Sequence, residues 1–282
     1  MSGVPARVGV LGGGRMGAGI AHAFVVAGAH VTVVERDDEA AAAAAERVAS
    51  AIDGSLQRGL EADRATLVAA LATATDAAAF AGCDLVIEAV PEDPALKAEA
   101  LARAEAVLDA SAVLATNTSS IGVGSLAAAL ARPARFVGLH FFNPVPASRL
   151  VEVVVGDATD PEVVAAAQGW VEALGKAAVT VRDSPGFASS RLGVMLGLEA
   201  IRMLEEGVAS AADIDAAMEL GYRHPMGPLR TTDVVGLDVR LGIAEQLERE
   251  LGPRFAPPAL LRRLVAEGRL GRKSGAGFYD YD

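Results

Sequence analysis

The sequence predicts an α/β fold: a Rossmann-type doubly wound, mostly parallel sheet followed by a smaller all-helical domain. Short β-branched runs alternate with alanine-rich helical segments through the first two thirds of the chain. Strand signals then stop, and apolar residues recur at helical spacing from Leu192 to Leu204. We therefore expect a nucleotide-binding domain over residues 1–184 and a helical domain over residues 185–282.

Composition restricts the class of protein. The 282 residues are 52% apolar and only 4% aromatic, and alanine, the best helix former, supplies much of the apolar share. A net charge of −11 argues against a nucleic-acid partner. The single cysteine, Cys83, excludes a disulfide framework, and we see neither a signal peptide nor a membrane-spanning run. These features predict a cytoplasmic protein without membrane association.

A glycine motif lies between the first predicted strand and the first predicted helix. Residues 12–17 read Gly-Gly-Gly-Arg-Met-Gly, and the strand that follows the helix ends at Glu35. In this setting, with an acidic residue about 20 positions further on, G-x-G-x-x-G indicates dinucleotide binding. Gly12 permits the tight turn, Gly14 lets a pyrophosphate approach the backbone, and Gly17 lets the helix pack closely. Glu35 would bind the adenosine ribose and repel a 2′-phosphate, which favours NAD over NADP.

Two β-branched runs flank a loop that contains two prolines. His140 closes the first run and Glu152 lies inside the second. If the second strand folds back beside the first, the carboxylate reaches the imidazole, and such a pair can act as a general base near neutral pH. The alternative is a structural pair at the edge of the sheet.

Polar residues also follow other strands, at the edge where doubly wound sheets bind ligands. Glu92 and Lys97 lie where a strand meets its helix, although an exposed ion pair is an equal alternative. Residues 117–120, Asn-Thr-Ser-Ser, either cap the next helix or contact the nicotinamide ribose and the substrate. Between the second strand and this region, residues 51–72 are expected to be helical with breaks at Gly54 and Gly59.

Together these motifs resemble the short-form L-3-hydroxyacyl-CoA dehydrogenases, in particular the bacterial 3-hydroxybutyryl-CoA dehydrogenases. The resemblance covers essentially the whole chain. Its most specific segments are residues 12–20, 117–120, 140–146 with 150–152, 184–187, 225–228 and 271–278.

The resemblance implies NAD-linked, reversible oxidation of (S)-3-hydroxyacyl-CoA to 3-ketoacyl-CoA without a metal. His140 would take the 3-hydroxyl proton while C3 gives hydride to the nicotinamide, and Glu152 would hold the tautomer of the ring. The helical domain would form a homodimer, and acyl-CoA would lie in the cleft between the domains. The other implied positions are Ser119 and Asn143 near the substrate oxygens and Glu92, Lys97 and Asn117 around the cofactor.

The sequence departs from the family pattern at Ser190, where the family usually has an asparagine that reaches the active site. We expect a helix that begins at Pro185 to aim Ser190 at the cleft, with a water bridging the shorter hydroxyl. The helical arm around Arg58 carries fewer basic residues than in many relatives, so the contacts of the CoA phosphates are not assigned.

Two rival functions remain open on the residues. A dehydrogenase of a hydroxy acid that is not bound to CoA would use the same scaffold and the same base. A nucleotide-binding structural protein would need only the glycine motif, and it would have no use for an aligned His140 and Glu152.

Overall fold

A computed structural model describes residues 3–281 of the chain. It divides into two compact units, one ending at Asp183 and one beginning at Ser184. Among the described residues, no helix combines the length and apolar character needed to cross a membrane.

The first unit is built on an eight-stranded sheet with the order β3-β2-β1-β4-β5-β6-β7-β8. Within this sheet β6 and β7 pair antiparallel, and the other neighbouring strands pair parallel. Successive strands are added on one side of β1 up to β3 and on its other side from β4 onward, which confirms the predicted Rossmann-type winding. In such sheets the ligand-binding crevice lies at this switch point between β1 and β4. The strands are β1 (Arg7–Leu11), β2 (His30–Val34), β3 (Leu71–Ala74), β4 (Leu85–Glu88), β5 (Val113–Thr116), β6 (Phe136–Phe141), β7 (Leu150–Val155) and β8 (Ala177–Arg182).

Helices connect these strands, and side-chain caps fix where several of them begin. Asp37 accepts a hydrogen bond from the Ala40 N–H, and Asp93 caps a helix whose first residue is Pro94. The central strands β4, β5 and β6 are buried along their whole length, as expected for parallel strands covered on both faces. The helices are α1 (Arg15–Val26), α2 (Asp38–Gln57), α3 (Arg64–Ala69), α4 (Pro94–Glu105), α5 (Val123–Ala127) and α6 (Pro161–Ala173).

The segment after α2 differs from the expectation for residues 51–72. Helix α2 runs through Gly54 without a break, and the chain then forms the short helix α3 and the edge strand β3. Gly54 is tolerated because one glycine costs only about 1 kcal/mol in a 20-residue helix that is packed on the sheet. Strand β3 was missed because its Leu-Ala-Thr-Ala sequence carries little β propensity, and pairing with β2 overrides it.

The second unit is helical, as predicted. Its first helix begins at Ser189, however, and not at Pro185, because Gly186 and Phe187 adopt positive φ angles of 72° and 50°. The C-terminal tail is fastened to this unit by Asp233, which accepts hydrogen bonds from the backbone N–H groups of Phe278 and Tyr279, both at 2.9 Å. The helices are α7 (Ser189–Glu205), α8 (Ala211–Tyr222), α9 (Pro228–Val235), α10 (Leu237–Leu251) and α11 (Ala259–Ala266).

Candidate functional site

The glycine-rich turn between β1 and α1 has the shape that a bound pyrophosphate requires. Gly12 has a φ of 94°, and a Cβ on Gly17 would lie 1.8 Å from the Gly12 carbonyl oxygen. Both positions therefore need glycine. A Cβ on Gly14 would meet nothing within 4 Å, and α1 begins there without a side-chain cap or an acidic residue in its first turn. The N-terminal N–H groups of α1 thus face open space, and the turn fits the phosphates of a dinucleotide.

Glu35 lies directly after β2 and beside this turn. Its Oε1 accepts a hydrogen bond of 2.7 Å from the Gly13 N–H, and its Oε2 accepts one of 3.1 Å from the Arg36 N–H. The half-buried carboxylate can accept further hydrogen bonds from ribose hydroxyls, since each oxygen has two lone pairs. A 2′-phosphate at the same place would meet a negative charge.

His140 and Glu152 face each other across the antiparallel pair of β6 and β7. They are direct partners in the strand register, and the Nδ1 of His140 lies 2.8 Å from the Oε2 of Glu152. Their side chains are 7% and 0% exposed, and the ring of Phe142 lies 4.4 Å from the imidazole between centroids. A carboxylate on Nδ1 holds the proton there, which makes Nε2 the basic nitrogen of the neutral ring.

A buried ion pair lies at the carboxyl end of β4. The Nζ of Lys97 is 2.7 Å from the Oε1 of Glu88, and these side chains are 2% and 0% exposed. Thr116, at the end of the neighbouring strand β5, donates a hydrogen bond of 2.6 Å to the other carboxylate oxygen of Glu88. Lys97 also lies 3.2 Å from Glu92, so one ammonium group joins two carboxylates. Lys97 therefore pairs with Glu92 from a buried position, although the Glu92 side chain is 37% exposed.

Glu92 holds the loop that follows β5. Its Oε1 accepts hydrogen bonds from the hydroxyl of Thr118 at 2.6 Å, the backbone N–H of Ser119 at 3.0 Å and the hydroxyl of Ser120 at 2.9 Å. Burial alone would raise the pKa of Glu92, but the charge of Lys97 and these hydrogen bonds outweigh it and lower the pKa. The carboxylate is thus kept ionised, and it fixes the position of Ser119.

Asn117 connects this loop to the strand of the histidine. Its Oδ1 accepts a hydrogen bond of 2.8 Å from the N–H of Phe141, the residue after His140. The side chain therefore does not cap the next helix; within residues 117–120, Thr118 provides the turn instead by accepting from the Ile121 N–H at 2.9 Å. The structure thus links Glu92, Lys97, Ser119 and Asn117 to the end of β6.

The loop after β6 carries Asn143. The residue is exposed, and its peptide bond to Pro144 is cis. Lys176 supports the loop by donating hydrogen bonds of 2.6 Å to the carbonyl oxygens of Val145 and Ser148. Asn143 lines a cleft in the first unit together with Arg15 and Arg47. Ser190 belongs to the second unit, where it lies half-buried in the first turn of α7.

Sequence reasoning did not single out three residues that shape this site, namely Glu88, Thr116 and Lys176. Glu88 and Thr116 end neighbouring parallel strands, so the rule that ligands bind at the carboxyl edge could have found them. Lys176 gave no such signal, because its role depends on hydrogen bonds to backbone carbonyl groups about 30 residues away in sequence.

Comparisons with known proteins agree over the whole chain. Residues 7–184 match the family model of the 3-hydroxyacyl-CoA dehydrogenase NAD binding domain, and residues 186–281 match that of its C-terminal domain. The chain is 43% identical over 286 residues to a 3-hydroxybutyryl-CoA dehydrogenase of Mycobacterium tuberculosis, with 100% of both chains covered. It is 41% identical to a probable 3-hydroxybutyryl-CoA dehydrogenase of Deinococcus radiodurans, with 98% and 100% covered.

A solved structure agrees as well. The crystal structure of (S)-3-hydroxybutyryl-CoA dehydrogenase from Ralstonia eutropha superposes with a TM-score of 0.94 at 40% identity, and 99% of each chain is covered. The chain therefore belongs to the 3-hydroxyacyl-CoA dehydrogenase family and is an NAD-dependent oxidoreductase.

Proposed function

We propose that this protein interconverts (S)-3-hydroxyacyl-CoA and 3-ketoacyl-CoA, with 3-hydroxybutyryl-CoA as a representative substrate. The observation that carries the proposal is the buried His140–Glu152 pair, 2.8 Å apart, at the ligand edge of an NAD-binding sheet. A protein that only bound a nucleotide would gain nothing from an oriented imidazole. The names of the relatives support the choice of a CoA thioester.

The residues of the chain handle the proton, and NAD supplies the acceptor or donor of the hydride at C3 when it is bound. In the direction of oxidation, Nε2 of His140 takes the proton of the 3-hydroxyl group. Glu152 then stabilises the imidazolium, because its carboxylate lies within hydrogen-bond distance of Nδ1. In the direction of reduction, the imidazolium protonates the ketone oxygen. Since both side chains are buried, water screens their interaction weakly.

The remaining predicted residues act by binding and positioning. Ser119 and Asn143 contact the oxygens of the substrate, with Ser119 oriented through Glu92. Ser190 adds one weaker contact to the substrate. The cofactor is held by the residues of the glycine turn and of the sheet edge, namely Gly12, Gly14, Gly17, Glu35, Glu92, Lys97 and Asn117.

In this proposal residues 1–184 bind NAD, and residues 185–282 contribute to substrate binding and to a homodimer. Exposed apolar side chains in the second unit support the dimer, among them Leu192 at 71% and Tyr222 at 75% exposure. We place the enzyme in the cytoplasm because its only cysteine is unpaired and buried, which fits a reducing compartment.

The test is the rate of NADH oxidation by the purified protein with acetoacetyl-CoA and, in parallel, with free acetoacetate. We expect efficient turnover of the thioester and a kcat/KM lower by several orders of magnitude for the free acid, because CoA binding energy is lost. Turnover of the free acid at equal or higher efficiency would favour the hydroxy-acid dehydrogenase instead.

A further inference from the structure

The cluster of Glu88, Lys97 and Glu92 carries an excess negative charge. The Glu88 carboxylate accepts hydrogen bonds from Lys97, from the hydroxyl of Thr116 and from the N–H of Val90, which suits its ionised form. Within the described residues 3–281, Lys97 is the one basic side chain that forms an ion pair with either carboxylate. Two carboxylates and one ammonium group leave a single negative charge, which the more exposed Glu92 presents.

This cluster lies on the side of the sheet that receives the nicotinamide half of the cofactor. The glycine turn after β1 faces the pyrophosphate, and Glu35 after β2 marks the side of the adenosine ribose. The other half of a dinucleotide therefore extends to the opposite side of β1, over the carboxyl ends of β4 and β5. Those strand ends carry the cluster, and the loop that Glu92 holds leads through Asn117 to the strand of His140.

We propose that the excess negative charge of the cluster raises the affinity of the site for NAD⁺ relative to NADH. The nicotinamide ring is positively charged in NAD⁺ and neutral in NADH, and the rest of the cofactor is the same in both forms. A fixed negative charge in a site that is partly shielded from water therefore stabilises the oxidised form selectively.

This preference has a consequence for the reaction proposed above. When the oxidised cofactor is bound more tightly than the reduced one, the equilibrium between the bound species moves toward NAD⁺ and the (S)-3-hydroxyacyl thioester. The cluster thus favours reduction of the ketone on the enzyme. The proposal itself rests on the binding of NAD and does not depend on the identity of the substrate.

A hydrogen bond between Glu92 and a ribose hydroxyl would have a different effect. The ribose is identical in the two forms of the cofactor, so loss of such a bond raises both dissociation constants by the same factor. The Kd for NAD⁺ divided by the Kd for NADH therefore isolates the contribution of the charge.

The experiment measures both dissociation constants for the full-length protein without substrate, by calorimetry for NAD⁺ and by nicotinamide fluorescence for NADH. Glu92→Gln removes the charge and keeps the shape of the side chain, so the ratio should rise about threefold to thirtyfold. Glu92→Asp keeps the charge and should keep the wild-type ratio. Glu88→Gln removes a charge that is 0% exposed and cannot touch the cofactor, and it should raise the ratio by a smaller factor. An unchanged ratio in Glu92→Gln would overturn the proposal, even if both Kd values rise.

Glu99→Gln is the matched control on the same helix as Lys97. Glu99 lies two residues after Lys97, so it points away from the cluster, and its side chain is 68% exposed beside Arg103. Water and salt screen this charge, and its removal should leave the ratio unchanged. A rise in Glu99→Gln equal to that in Glu92→Gln would show that the net charge of the protein causes the preference, and would overturn the assignment to the cluster.

Discussion

At the scale of single residues, the reaction depends on one imidazole and the carboxylate that orients it. We expect His140→Gln to lower kcat by about 10²–10⁴-fold, because the general base is lost, with little change in the Kd for NAD. Glu152→Gln should lower kcat less, since the ring keeps its place but loses the charge that stabilises the imidazolium. Stopped-flow rates and NAD titrations measure both. Near-normal turnover of His140→Gln would show that the His140–Glu152 pair has a structural role only.

Ser190 tests how far the family pattern transfers to this chain. It lies in the first turn of α7, although that helix begins later than the sequence suggests. If Ser190 holds one uncharged hydrogen bond to the substrate, Ser190→Ala should cost about 0.5–1.5 kcal/mol, a few-fold to tenfold in kcat/KM. Ser190→Asn should match or exceed the wild type, because the amide reaches further. Wild-type values of kcat/KM with acetoacetyl-CoA for both variants would remove position 190 from the site.

At the scale of elements, the sequence predicted the features that local pattern determines. The glycine motif has a fixed spacing, and the two runs around His140 and Glu152 are long, apolar and separated by prolines, so their pairing could be anticipated. The edge strand β3 could not be anticipated, because it depends on pairing with β2, which is distant in sequence. The sequence also did not predict that the Lys97 side chain is buried against Glu88, because that burial depends on the packing of α4 on the sheet. A lysine in the first turn of a helix usually lies in water.

Removing one partner of the ion pair at the end of β4 should strongly lower the stability of the protein. With exposures of 2% and 0%, Lys97→Met and Glu88→Gln should each lower the free energy of unfolding by about 3–5 kcal/mol, since each leaves a buried group unpaired. Urea unfolding of both single variants and the double variant gives the coupling energy. Additive losses in the double variant would show that the two groups do not interact.

Acid should weaken the loop that Glu92 holds. The pKa of Glu92 is lower in the folded state than in the unfolded chain, so the unfolded state binds the proton more tightly. Its contribution to stability is therefore complete above the ordinary pKa of a glutamate, about 4.3, and is lost as the pH falls through the lowered value. Glu92→Gln should unfold with a shallower dependence on pH in this range. Parallel curves of stability against pH for variant and wild type would contradict this.

At the scale of the whole molecule, the alternation of strands and helices in the first unit and the helical character of the second followed from the sequence, with the exception of β3. The division of the chain also left a signal in the sequence, since the strand pattern stops after β8, and the two units meet at residues 183 and 184 of the chain. The sequence indicates only weakly which surfaces bind another subunit, because an apolar residue on a helix can equally face the core of its own unit.

The homodimer can be tested on the first helix of the second unit. Leu192 on α7 is 71% exposed, and Val239 on α10, in the same unit, is 44% exposed. A single exposed leucine needs no explanation, but several exposed apolar side chains in one surface indicate a binding site for another protein. If this surface meets a second copy, Leu192→Glu buries an unpaired carboxylate there and should weaken dimerisation by at least about a hundredfold. Val179→Glu, at an exposed position of β8, is the matched control and should not change the molecular mass of the dimer in solution. Sedimentation equilibrium measures both variants. A dimer of Leu192→Glu as tight as that of the wild type would place the interface elsewhere.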